Sequence, residues 1–269
     1  MSIIGIDIGS STTKIIEYEG KRIKSKKIIR RVYEENDLYD FMTENDIKDV
    51  EKLVFTGIGS DKINKDNYNY EICFIEEFDS IGTVGKYLSN KENVFVVSVG
   101  TGTAIIEVNN DNIKHLGGTG VGAGTLFNLC NRFLGLNSFD EIVEYAQKGD
   151  IGKIDLRIGD VTDKDIKTLP KDLTLANFGK FENSASKEDM VLGFVNMVFE
   201  VIGMMAAFSS VNSNVKDVIL IGNIVAIPGV KEILRKIEFT HKLNFIVTED
   251  AEYAVALGAV IKAVEGKHV

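Results

Sequence analysis

The chain has 269 residues, with 31 Lys and Arg against 40 Asp and Glu, a formal charge of −9 and 44% hydrophobic residues. That composition supports a core of ordinary size and excludes disorder, and the acidic balance argues against nucleic acid as the main partner. Two cysteines (Cys73 and Cys130) and three histidines exclude a disulfide framework and a structural zinc site, and point to a reducing, cytoplasmic setting.

In chain order, "SIIGIDIG" and "TTKIIEYEG" read as apolar strands joined by a Gly/Ser/Thr turn, and "KRIKSKKIIRR" continues as a third strand. Its basic run, Lys24–Arg31, reads as a solvated sheet edge, where lysine is common. "DLYDFMTEND" reads as a helix, "KLVFTGIGS" as a buried strand ending in a Gly loop, and "IEEFDSIGTVGKYLSN" as a helix with an acidic first turn. The pattern then restarts. "NVFVVSVGTGTAIIEVNNDNIKHLGG" is again strand, Gly/Thr turn, strand, turn and strand. Helices follow at "GTLFNLCNRFLG" and "FDEIVEYAQKG", then a polar stretch to about Ser186. "MVLGFVNMVFEVIGMMAAFSSV" (Met190–Val211) carries Asn196 and Glu200 in mid-span, so it reads as a buried or interface helix and not as a membrane span. "DVILIGN", "VKEILRKIE", "NFIVTE" and "AEYAVALGAVIKAVEG" close the chain as strand, helix, strand and helix.

The element order β-β-β-α-β-α thus occurs twice, each copy opening with a Gly/Ser/Thr turn. The expected architecture is two α/β domains, residues 1–91 and 92–269, facing each other across a cleft with one turn from each pointing inward.

Seven glycines fall between Val97 and Thr125. The first turn, "GIDIGSSTTK", places a carboxylate (Asp7) at a strand end beside Gly9, Ser10, Ser11, Thr12 and Thr13, whose backbone N–H groups could cradle phosphate oxygens, with Lys14 as a point charge. The second, "SVGTGT", repeats that chemistry through Thr101 and Thr103. "GGTGVGAGT" (Gly117, Gly118, Thr119, Gly120, Val121, Gly122, Gly124) leads into an apolar helix, where unpaired N–H groups and the positive end of the helix dipole would meet an anion. No Lys follows, so it is not a P-loop, and its place after a meander strand does not suit a βαβ dinucleotide site. "EEFD" crowds Glu76, Glu77 and Asp79 at a helix start, more carboxylate than capping needs, so one could serve as a general base toward a substrate hydroxyl.

These residues resemble a known family. The two-domain plan with two phosphate turns is similar to the acetate and sugar kinase, Hsp70 and actin superfamily, and "GIDIGSSTTK", "FIEEFDS", "VGTGT", "HLGGTGVGAGT", "KIDL", "DLTLANFG" and "AVALGA" resemble the type II pantothenate kinases over nearly the whole chain. The resemblance implies two ribonuclease-H-like, actin-like ATPase domains, and ATP- and Mg²⁺-dependent phosphorylation of the primary hydroxyl of pantothenate, the first step toward coenzyme A. It implies Glu77 as the base, Lys14 with the Gly9–Thr13 turn on the phosphates, and Asp7 on the Mg²⁺ shell through water. The Gly117–Gly124 loop with Gly222 and Asn223 would hold the nucleotide. Thr101, Thr103 and His115 would line the substrate side. Thr174 and Ala176 of "DLTLANFG" would reach that pocket from the neighbouring protomer of a homodimer, with the Met190–Val211 helix in the dimer core.

His115 departs from the family, where Arg is usual, exchanging an always-charged planar fork for an imidazole. Ser10 with Ser11, and Asn223, also depart from the commoner Gly-rich patterns. Rival readings are a kinase of another small hydroxylated acid, a non-catalytic sensor of ATP and pantothenate, and an ATP-driven activator with an iron–sulfur cluster at its dimer interface, whose opening turn is similar.

Overall fold

Alternation along the first strand sorts its residues between two layers. In the computed structural model, which describes residues 1–164, 166 and 169–266, β1 (Ser2–Ile8) turns Ile4, Ile6 and Ile8 into one core and Ile3, Gly5 and Asp7 to the other face. Strands β2 (Thr13–Glu19) and β3 (Arg22–Ile29) complete a meander. Helix α1 (Glu35–Glu44) covers the outer face with Leu38 and Phe41, and β4 (Val50–Thr56) and β5 (Glu71–Phe74) add two parallel strands. The sheet order is β3-β2-β1-β4-β5. Strand β5 is a departure from expectation: four residues between polar turns give too short a run for alternation to register.

Helix α2 (Glu77–Ser89) leads to the second copy: β6 (Asn93–Val99), β7 (Thr103–Asn109) and β8 (Asn112–Thr119) as a meander, then α3 (Ala123–Leu134) and α4 (Phe139–Ala146). The polar stretch holds a two-strand ribbon, β9 (Leu156–Arg157) with β10 (Thr174–Ala176), and between them the short helix α5 (Ile158–Val161). Helix α6 (Lys187–Ser209) is followed by β11 (Asp217–Gly222), α7 (Val230–His241), β12 (Asn244–Val247) and α8 (Ala254–Glu265). This second sheet runs β12-β11-β6-β7-β8, the same order as the first when both are read from the third meander strand. The duplication inferred from element order is therefore present in the strand pairing, two antiparallel and two parallel partners in each sheet.

Helices α2 and α8 pack on each other between the two sheets. Their buried residues, among them Ile81, Val84, Leu257 and Val260, share one core with Ile3 and Ile16 of the first sheet and Val96 and Ile219 of the second. The approach is close: a Cβ at Gly5 of β1 would lie 2.6 Å from Val260 of α8. Because Asp7 shares the inner face of β1 with Gly5, period-two alternation alone points its carboxylate at the mouth of this inter-sheet layer. Helix α6 is long and apolar enough to cross a membrane, yet most of it is buried within the fold against α3, α4 and α7.

Candidate active site

The first turn follows directly from strand pairing. Asp7 and Lys14 are directly opposed in the β1–β2 register, and the Gly9 N–H closes the turn on the Thr12 carbonyl at 3.0 Å. Lys14 Nζ therefore reaches Asp7 Oδ2 at 3.1 Å, both side chains nearly buried. On its other side Asp7 lies level with Thr56 of β4, and the chain leaves β4 through Gly57 at φ 88°. A Cβ there would stand 2.6 Å from Asp7 Oδ1, so only glycine supplies both the left-handed backbone and the room.

The second turn, Gly100–Gly102, joins β6 to β7 in the same way and meets the first. Ser10 Oγ and Ser11 Oγ lie 2.8 and 3.0 Å from Thr101 Oγ1, so hydroxyls from both domains touch across the cleft. The start of α3 braces this turn from behind. The N–H groups of Ala123 and Gly124 donate to the carbonyls of Gly100 and Thr101 at 2.8 and 3.0 Å, and a Cβ at Gly122 would lie 2.7 Å from Gly102. This corrects one expectation: the donors at this helix start are not free for an anion. Val121 N–H and Gly122 N–H are likewise taken, by Thr119 Oγ1 and Thr125 Oγ1. Two donors at this helix start are thus taken by the neighbouring turn and two by side chains of the loop itself, and the glycines allow that turn to approach.

Glu77 opens α2 at the floor of the cleft, half-buried. Burial pushes its carboxyl above the ordinary glutamate value and the nearby charge of Asp7 pushes the same way, while Lys14 and the N–H of Ile58 pull it back. A carboxylate in that condition accepts a proton more readily than one in water. Next to it, Phe78 stacks on the exposed imidazole of His115 (centroids 4.2 Å apart, planes 15° apart), which brings His115 of β8 beside the Glu77 helix start.

One cavity of about 330 Å³ joins the two turns and Glu77, whereas Phe78 and His115 are not on its wall. Of the residues singled out in the sequence, Asp7, Gly9, Ser10, Ser11, Thr12 and Lys14 line it from the first turn and Glu77 from α2. Thr101, Thr103, Thr119 and Gly222 line it from the second sheet. Thr13 is fully buried in β2, and among the described residues its Oγ1 has no partner. Gly117 and Gly118 are strand residues paired with Ile105 and Ala104, and Gly120, Val121, Gly122 and Gly124 stand behind the second turn. Asn223 follows Gly222 with a buried Oδ1 that has no partner among the described residues. Sequence reasoning missed Ile58, Glu252 and Val255 on the cavity wall, and did not single out Ser98, Gly100 or Gly102 within the turn it quoted. Ile58 sat in a quoted Gly loop, whereas nothing local marks Glu252.

Thr174 and Ala176 are not part of this wall within one chain. They belong to a ribbon anchored on Asp155, which is fully buried and accepts from Asn196 Nδ2 at 2.7 Å, Phe178 N–H at 2.8 Å and Asn177 Nδ2 at 3.3 Å. Asn177 also donates to Glu200 Oε2 at 2.8 Å. The two polar residues in the middle of the apolar helix α6 are thereby explained. Leu175 and Ala176 are left exposed. Of the cysteines, Cys73 is on β5, while Cys130 is buried in α3, where desolvation pushes its thiol up to about 12. Packed in the core, Cys130 is not at a surface where a cluster could bridge two protomers.

Two facing sheets of this order, with a turn from each meeting over a shared helical layer, define the actin-like, ribonuclease-H-like fold. Solved structures agree on the fold. The chain is similar over its full length to (R)-2-hydroxyglutaryl-CoA dehydratase component A of Acidaminococcus fermentans, which is itself covered completely (TM-score 0.69, 18% identity). It is also similar to the ROK hexokinase of Thermus thermophilus (TM-score 0.55, 13% identity, 99% of this chain and 100% of that one). Residues 60–262 match the family described as Fumble, and the chain belongs to that family. Curated relatives include the type II pantothenate kinases of Bacillus cereus (28% identity over 232 residues, 82% of this chain and 83% of the relative) and Oceanobacillus iheyensis (26% over 275 residues, 98% and 100%).

Proposed function

We propose that this chain is a type II pantothenate kinase, transferring the γ-phosphoryl group of ATP to the primary hydroxyl of pantothenate to give 4′-phosphopantothenate and ADP. The observation that carries the reading is the convergence of Asp7, Lys14, Glu77 and two hydroxyl-rich turns on one cavity, in a member of a family whose curated relatives carry that name.

Glu77 takes the hydroxyl proton as the oxygen attacks phosphorus, and its raised proton affinity suits that step. Lys14 and the backbone N–H groups of the two turns hold the phosphates as charge shifts onto the leaving oxygen. Asp7 is the group to meet a hydrated Mg²⁺. A single carboxylate at a phosphate turn fits an ion that keeps several waters and binds through one or two carboxylates and the substrate's phosphates. When bound, Mg²⁺ neutralises charge on the β- and γ-phosphates. The loop behind the second turn acts by fixing that turn, with Thr119 reaching the cavity.

His115, braced on Phe78 beside Glu77, stands on the acceptor side. The exposed Leu175 and Ala176 support completion of that side by a second copy of the chain in a homodimer. The division into residues 1–91 and 92–269, a cytoplasmic setting and independence of nucleic acid and membrane belong to the same proposal. A coupled ADP-release assay across small hydroxylated acids tests it. Turnover that depends on pantothenate supports the reading; turnover that depends on a different acid, or ATP binding with no turnover, overturns it.

A further inference from the structure

Three carboxylates line the cleft, and two of them have partners. Asp7 is paired with Lys14, and Glu77 is drawn toward its charged form by Lys14 and by the N–H of Ile58. Glu252 has no hydrogen bond or ion pair among the described residues, yet it lines the same cavity beside Gly222 and Val255. It lies in a short turn (Ala251–Tyr253) between β12 and α8, and that turn is held from the opposite sheet. Lys26 of β3 makes an ion pair with Asp250, and its ammonium stands 5.2 Å from the centre of the Tyr253 ring. One lysine thus grips both flanks of Glu252. The basic run that read as a solvated edge strand is at the sheet edge, but Lys26 is committed to the second domain.

A carboxylate facing a triphosphate is repelled by it, and gains only from a cation or from neutral donors. The part of a nucleotide that offers a pair of neutral donors matched to two carboxylate oxygens is the ribose diol, and acidic side chains hold ribose hydroxyls in other nucleotide sites. We propose that Glu252 binds the ribose hydroxyls of the nucleotide and that Lys26, from the edge of the opposite sheet, positions it through Asp250 and Tyr253. This rests on the nucleotide reading of the cavity but not on the identity of the acceptor.

The test is calorimetric binding of ATP, 2′-deoxy-ATP and 3′-deoxy-ATP to the full chain with Mg²⁺ and no acceptor. The wild-type protein binds ATP at least about tenfold more tightly than one of the deoxy analogues, as expected for a hydrogen bond to a charged group. In Glu252→Ala that ratio falls to near one, with ATP itself weakened about tenfold or more. Lys26→Met lowers the ratio in the same direction and Lys26→Arg restores it, a pattern that a loss of folding alone does not produce. An unchanged ratio in Glu252→Ala overturns the proposal. So does a variant whose only change is a higher Mg²⁺ requirement, because Glu252 would then face the metal. A chain that binds no ATP refutes the nucleotide reading instead, whereas one that binds ATP and ignores pantothenate leaves this test intact.

Discussion

Replacing Glu77 by Gln removes the proposed base and little else. The amide keeps an oxygen that can accept the Ile58 N–H, and it has the size of the carboxylic acid, so the start of α2 and the Phe78–His115 stack should stay in place. What is lost is proton acceptance, which contributes about 10²- to 10⁴-fold in rate, or about 2.7–5.5 kcal/mol of barrier. Coupled ADP release should therefore fall by that factor, while calorimetric ATP binding changes less than about threefold. The raised carboxyl also fixes the sign of a stability effect. Glu77 ionises at the ordinary value when unfolded and at a higher pH when folded, so its contribution is fully present below the unfolded value and is lost as pH rises through the folded one. Glu77→Gln, which cannot ionise, should therefore gain in melting temperature relative to wild type as pH rises through the folded value, with the gap closing under acidic conditions. The same shift places the acidic limb of kcat/KM above the usual glutamate range. Turnover of Glu77→Gln within about fivefold of wild type would refute the assignment of Glu77 as base.

Lys14→Met should weaken ATP binding about tenfold or more, because it removes a phosphate cation and strands the carboxylate of Asp7 in a nearly buried position; calorimetry at pH 7 checks this. Gly57→Ala should cost about 1–3 kcal/mol in urea unfolding and lower turnover as well, since the added methyl meets both Asp7 and a backbone at φ 88°. Asp155→Ala strands the donors of Asn196, Asn177 and Phe178 and should cost about 3 kcal/mol or more, with its main effect on the exposed ribbon that ends in Ala176. If the ribbon serves a partner protomer, light scattering on that variant should also show loss of dimer.

Much of the fold was legible because both copies advertise themselves locally. Alternating Ile and Val runs broken by Gly/Ser/Thr turns fix the two meanders, whereas the pairing register is what sets Asp7 opposite Lys14. Strand β5 escaped because four residues carry no period. The role of the Gly117–Gly124 stretch was half legible: glycines announce a close approach, but only the fold says that one object approached is the neighbouring turn. Glu252 lies more than a hundred residues from the Gly-rich stretches and reaches the cleft only because α8 returns between the sheets. Asn196 and Glu200 looked out of place in an apolar helix until Asp155 and Asn177 were seen to bind them.

The central claim is phosphoryl transfer to pantothenate, and its most direct test is the mass of the acceptor after incubation with the full chain and MgATP. The account predicts an acceptor heavier by one phosphoryl group, formed in step with ADP and suppressed in Glu77→Gln. Recovery of unmodified pantothenate, at a protein concentration where ATP is demonstrably bound, would contradict it.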